Sequence, residues 1–199
     1  LSSKKENPIV LCSLGDGAVT EGEISEAFQF AVLKQLPIVY LIQDNDWGIS
    51  VSKEEMRAMD AYEFAAGFKG LERMQTDGAD FIKSWETMDA AFSYVRNNRK
   101  PILVHAKVPL LGHHTSGVRK EFYRDEKDLN KHAKNDPIPV TEKQLISLGV
   151  TNDIMEEINS QAISIAEDAW ERAVASPEPD PAEVMKHKFA PTPITEERG

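Results

Sequence analysis

Cysteine is nearly missing from the 199 residues, Cys12 being the single example. No disulfide framework can close within the chain, and a lone thiol inside an apolar run reads as a small buried hydrophobe in a reducing compartment. No activating histidine stands beside it, which argues against a nucleophile. Basic residues are outnumbered, 23 against 33 acidic, for a formal charge of -10. With no local basic patch, that balance excludes a sequence-independent grip on nucleic acid or an anionic membrane. No apolar stretch reaches the roughly 20 residues of a membrane-spanning helix, and Leu1 to Asn7 are polar rather than leader-like. A cytoplasmic location is the expectation. Internal repeats are missing too. What remains, 41% hydrophobic and 8% aromatic residues, suffices for one ordinary core.

Apolar runs alternate with helical patterns along the chain, which predicts α/β architecture, a three-layer doubly wound parallel sheet. Pro8 to Leu14 reads as a strand buried on both faces and Glu21 to Gln35 as a helix stopped by Pro37. Ile38 to Gln43 is a second strand, Lys53 to Met59 a short polar helix headed by Ser52, and Leu71 to Gln75 a weaker strand. Asp80 to Asn97 repeats apolar residues at helical spacing before a strand over Pro101 to Val108. From Gly112 to Arg124 the chain is a polar loop, a type usually functional when long. Thr141 heads a helix through Leu148 by a capping box, and Asn152 to Ala175 is a long amphipathic helix. Closely spaced prolines from Ser176 onward predict an extended arm without helix or ladder. A chain opening on a central strand is expected to be a segment of a longer polypeptide.

Gly15-Asp16-Gly17 falls where a strand meets the next helix, the crevice in which open α/β sheets bind ligands. Glycines let backbone approach a phosphate, the helix start favours negative charge, and an aspartate holds a hard divalent cation. Twenty-six residues after Gly17, at the end of the neighbouring strand, comes Asp44-Asn45-Asp46-Trp47-Gly48-Ile49-Ser50. Asp16 and Asn45 are thereby expected to meet on one cation, leaving octahedral positions for phosphate oxygens, a main-chain carbonyl and water. Alone, each segment is an ordinary polar turn. Their spacing at consecutive strand ends carries the reading.

The pattern Gly15-Asp-Gly-x26-Asp-Asn45 resembles the thiamine diphosphate motif. More narrowly, Gly15 to Glu23, Leu36-Pro-Ile-Val39, Asp44 to Ser50, Thr76-Asp-Gly-Ala-Asp80 and Gly112-His-His-Thr-Ser116 ending at Tyr123-Arg124 resemble, in order, the alpha subunit of 2-oxoacid dehydrogenases. The branched-chain type is the nearest in pattern, because its loop also reads Gly-His-His and closes on Tyr-Arg. The resemblance implies the thiamine diphosphate-binding fold, incomplete here; with the patterning above, the expected divisions are a diphosphate-side domain over 1–138, packing helices over 139–176 and a proline-rich extended arm or linker over 177–199. It implies decarboxylation of a 2-oxo acid and transfer of the acyl group to lipoyl-lysine, with thiamine diphosphate and magnesium as cofactors. The implied partners are a beta subunit or fused beta half, a lipoyl-bearing acyltransferase, the 2-oxo acid and further copies in an oligomer. The segment alone is expected to be inactive.

By the same resemblance, Asp16, the Asn45 side chain and the Trp47 carbonyl ligate magnesium. Gly17 and Ala18 bring amides to the diphosphate, Gln43 stands near it, and Ile49 lines the cofactor site. His114 matches the loop histidine beside the cofactor ring and is the catalytic candidate, while Tyr123 and Arg124 match residues that order the loop for the lipoyl domain. Four departures stand out: Asp44 for the first asparagine of the usual pair, Gln43 and Leu110 for arginines, and His105 for an acidic residue. Asp44 adds negative charge and Gln43 removes positive charge, so cofactor affinity is expected to be weaker or more magnesium-dependent.

Plainer readings apply elsewhere. His113 is expected to be structural and His105 a satisfied core group. Trp85 and Trp170 belong to a core or interface, and Glu21 and Glu23 answer the helix dipole. Three other functions compete: another thiamine diphosphate lyase or transferase, a magnesium-dependent phosphate-binding α/β domain, and a non-catalytic assembly segment.

Overall fold

A computed structural model describes residues 7–186 of the chain, which divides at Gly149 into two compact units. Among the described residues the first unit contains six strands: β1 (Val10–Gly15), β2 (Ile38–Asp44), β3 (Trp47–Gly48), β4 (Val51–Ser52), β5 (Glu72–Asp77) and β6 (Ile102–Lys107). Four of them form a parallel sheet in the order β1-β2-β6-β5, while β3 and β4 pair antiparallel as a ribbon. Its helices are α1 (Gly22–Lys34), α2 (Lys53–Met56), α3 (Ala61–Ala65), α4 (Phe81–Asn98), α5 (Glu126–Ala133) and α6 (Pro137–Ser147). The second unit carries α7 (Asn152–Ala175).

Alternation along the strands sends side chains to two faces, and each face is covered by helix. On one, Phe28 and Ala31 of α1 and Ala61 and Ala65 of α3 pack with Tyr40, Ile42 and Leu103. Phe28 meets Tyr40 and Phe68 edge-on at centroid separations of 4.9 and 5.3 Å. On the other, Ala91 and Val95 of α4 pack with Val39, Ile102 and Val104. The result is the three-layer parallel α/β arrangement expected from the sequence. Register brings Gly15 opposite Gln43, Gln43 opposite Ala106, and Lys107 opposite both Asp44 and Asp77. All four carboxyl ends therefore open on one edge, where ligands of such sheets bind.

Several elements depart from expectation. The strand expected to be buried on both faces is β1, yet it is the sheet edge among the described residues and leaves Val10 and Leu11 exposed. The doubly covered strand is β6, buried from Ile102 through Ala106 because β2 and β5 flank it. The helix expected through Met59 ends at Met56, since Arg57 is extended and its side chain is drawn into buried carboxylates. Helix α6 starts at Pro137 rather than Thr141. Asp136 caps it, Pro137 has no amide to leave unpaired, and the Thr141 hydroxyl bonds the Pro137 carbonyl instead of capping. The proline-rich stretch contains a 3-10 turn over Pro181–Met185, begun by Pro181 behind its Asp180 cap; residues 187–199 of the expected arm lie outside the described residues. Trp85 and Trp170 are exposed rather than core.

Candidate functional site

The Gly15-Asp16-Gly17 turn leaves β1 beside the turn that leaves β2. An added Cβ on Gly17 would lie 3.9 Å from the Gly48 Cα and 3.2 Å from the Met56 sulfur, which in turn sits 3.0 Å from a Cβ built on Gly48. A side chain on either glycine would press on the Met56 sulfur, so the two turns and that methionine pack closely. The second turn is shaped by its own polar side chains. Asp44 Oδ1 accepts from the Asp46 amide at 3.1 Å and Asn45 Oδ1 from the Trp47 amide at 3.0 Å. Asp46 and the β-branched Ile49 both take left-handed backbone angles, φ 68° and 58°. For isoleucine this is an outlier, a form of strain that collects at functional sites.

Asp16 is buried and its Oδ2 accepts from Arg57 at 3.1 Å. Arg57 also donates to both oxygens of Asp44, at 2.8 and 2.9 Å, and reaches Asp46 at 3.5 Å. Asp44, wholly enclosed, is held further by His105 Nε2 at 2.7 Å and Lys107 Nζ at 2.6 Å. His105 is thus a satisfied core group, with Gln75 at its other ring nitrogen. Lys53 and Lys131 bind Asp46. These lysines, Lys107 and Asp77 line a cavity of about 290 Å³ beside the turns, and Asp16 and Arg57 line another of about 310 Å³.

The two buried acids shift in opposite directions. Burial, and then the neighbouring Asp44, push the Asp16 carboxyl up to about 6 despite Arg57. Burial acts on Asp44 in the same sense, but hydrogen bonds from His105, Lys107 and Arg57 outweigh it and hold that carboxylate well below the usual range. Asp16 is therefore a buried acid with less positive charge than its ionised form needs, and an added cation would supply it. One carboxylate, one carboxamide oxygen and one main-chain carbonyl are hard donors that suit magnesium. The Asn45 oxygen keeps a second lone pair beyond its bond to Trp47. In donor chemistry Asp16, Asn45 and the Trp47 carbonyl are compatible with that ion and would be the groups to hold it. Among the described residues no group of three His, Cys, Asp or Glu side chains forms a metal cluster, and this donor set does not call for one.

The remaining sequence candidates scatter more widely. Ala18 opens a 3-10 turn leading to α1. Gln43 is exposed and accepts from the Ser13 hydroxyl at 2.8 Å. His114 lies on a stretch exposed from Leu111 to Arg119, and among the described residues no hydrogen bond or ion pair links it to Asp16 or Asn45. His113 accepts from the Lys120 amide. The far end of the loop does join the β2 turn. Tyr123 packs on the Trp47 ring at 5.5 Å, and the Trp47 indole N–H donates to Asp128 at 3.1 Å. Buried Arg124 lies over the same ring, donates to Asp128 at 2.6 Å and to the Leu110 carbonyl at 2.9 Å.

Sequence reasoning passed over Arg57, Lys107, Lys53 and Lys131. Several of these pairings are remote in sequence, Arg57 by 41 residues from Asp16, Lys107 by 63 from Asp44 and Lys131 by 85 from Asp46, while Lys53 lies only 7 from Asp46. The available signal was the excess of acid: two aspartates in three positions at a strand end, Asp44 and Asp46, call for cations from elsewhere.

A charged crevice with two closely approaching glycine-bearing turns lies at the carboxyl ends of a parallel α/β sheet. A profile described as the dehydrogenase E1 component matches residues 2–182, and the chain belongs to that family. It is 33% identical over 179 residues to the pyruvate dehydrogenase E1 component subunit alpha of Rickettsia conorii, covering 88% of this chain and 54% of that protein. The 3-methyl-2-oxobutanoate dehydrogenase subunit alpha of Mycobacterium tuberculosis is 28% identical over 186 residues, 93% of this chain and 51% of its own length. The chain spans about half the length of the curated relatives it matches. Transketolase from Leishmania mexicana aligns with 50% of this chain and 15% of its own at a TM-score of 0.44 and 17% identity.

Proposed function

We propose that the chain supplies the diphosphate-side part of the alpha subunit of a thiamine diphosphate- and magnesium-dependent 2-oxoacid dehydrogenase. The observation that carries this reading is the contact of the Gly15-Asp16-Gly17 turn with the Asn45–Gly48 turn at neighbouring strand ends, in a chain of the E1 family. Asp16, Asn45 and the Trp47 carbonyl hold magnesium, and the Gly17 and Ala18 backbone meets the diphosphate. Ile49 lines the cofactor site and Gln43 borders it. When bound, thiamine diphosphate supplies the carbon centre at which a 2-oxo acid loses carbon dioxide. The protein's part is to bind, orient and exclude water. His114, on its exposed loop, is the proton-handling side chain, and Tyr123 and Arg124 order that loop for a lipoyl domain.

Branched-chain 2-oxo acids are the proposed substrate class, on the strength of the Gly112-His-His loop closing at Tyr123-Arg124. The acyl group passes to the lipoyl-lysine of an acyltransferase. The partner is a beta subunit or fused beta half, within an oligomer, and the proposed setting is cytoplasmic. This segment alone is inactive. Calorimetric titration of thiamine diphosphate into the full native protein with its beta partner, with and without magnesium, tests the reading. Binding is expected only with magnesium and is expected to vanish in Asp16→Ala; magnesium-independent binding, or an Asp16→Ala protein that binds normally, would overturn it.

A further inference from the structure

We propose that Arg57 is the positioning residue for the Asp16 carboxylate toward magnesium, an inference that rests on the cofactor reading above. Its guanidinium is almost fully enclosed, with 7% of the side chain exposed, and its bonds run in two directions. One goes to Asp16 Oδ2 and two go to Asp44. Asp44 is itself fixed by His105 and Lys107 from β6. Dependence therefore runs from β6 through Asp44 to Arg57 and only then to Asp16. The backbone that delivers Arg57 is tied to the same two turns: the Lys53 amide bonds the Asp46 carbonyl at 2.9 Å, and Met56 packs against Gly17 and Gly48. A planar fork suits this task, because a point charge cannot bond two carboxylates in separate directions with fixed geometry.

Hydrogen-bond partners of metal-ligating groups typically change metal affinity by 10–100-fold when removed. The test uses the full native protein with its beta partner and thiamine diphosphate, titrated with Mn2+ as a paramagnetic stand-in for magnesium and read by the resonance of the free ion. Arg57→Gln is expected to need roughly 10–100-fold more metal for half-saturation, and Arg57→Lys roughly tenfold more. At saturating metal, both variants are expected to bind thiamine diphosphate like the unaltered protein, a split that general destabilisation would not produce. Unchanged or tighter metal binding in either folded variant, or a cofactor deficit that persists at saturating metal, would overturn the assignment. Should Arg57→Gln fail to fold, Arg57→Lys decides alone. Asp16→Ala separates the two levels. Loss of metal there with normal binding in the Arg57 variants removes only the Arg57 role, whereas normal metal binding by Asp16→Ala removes the cofactor reading itself.

Discussion

At the scale of single residues, Asp44 is the most heavily committed side chain of the site. It stands where the family resemblance calls for asparagine, and His105 where it calls for an acid. The structure joins these two departures in one buried pair at 2.7 Å, with Lys107 and Arg57 completing the cage. Removing one member of a buried charged group leaves the others uncompensated, at a cost of about 3–5 kcal/mol. Asp44→Ala is accordingly expected to lower unfolding stability in urea by that amount, and Asp44→Asn by less because it retains an acceptor for Arg57. Both turns were legible from sequence because their chemistry is local: glycines at close approach, and aspartate or asparagine oxygens reaching amides two residues on. Arg57 was not legible, since no short-range pattern announces partners 13 and 41 residues away.

Among the elements, the longest and most periodic were the most readable. The pattern over Asp80 to Asn97 became α4, capped by Asp80 and closed by Arg99 in a left-handed conformation. Burial of a strand was less readable, because an apolar run does not say how many neighbours the strand will have; β1 has one among the described residues and β6 has two. The helix edges were least readable, as at α6, where Asp136 and Pro137 competed with Thr141 for the start. Close approach of elements gives a direct test. Gly78, just past β5, donates to the Lys107 carbonyl at 2.7 Å, and a Cβ there would stand 2.5 Å from a Val108 methyl and 2.9 Å from that carbonyl. Gly78→Ala must push the ends of β5 and β6 apart, and the expected loss is about 1–3 kcal/mol by chemical denaturation.

For the molecule as a whole, the segment after β6 is fastened back onto the site by few anchors. Buried His132 accepts the Leu110 amide at 2.9 Å, while Arg124 takes the Leu110 carbonyl. Burial, with Arg124 adding to it, lowers the His132 pKa from the ordinary 6.5. Because the folded value is depressed, the stability it contributes is present above 6.5 and is lost as pH falls through the folded value. Protonation removes the acceptor at Nδ1. Hydrogen exchange at the Leu110 amide, corrected for intrinsic rates, is expected to lose protection as pH falls below 6.5, and His132→Asn, which keeps an acceptor oxygen, is expected to abolish that step. Global unfolding in the same range would instead remove protection across β6 at once.

Trp47 is the feature with the widest reach. Its backbone belongs to the β2 turn, while its indole is held by Tyr123, Arg124 and Asp128 from the far end of the loop. Where two events are coupled through a shared residue, the coupling is thermodynamically reciprocal. Whatever factor a ligand at the turn adds to the ordering of the loop, a partner that captures the loop returns to the ligand. Trp47 is the residue through which binding at the crevice and ordering of the loop would be coupled, each to the other by the same factor.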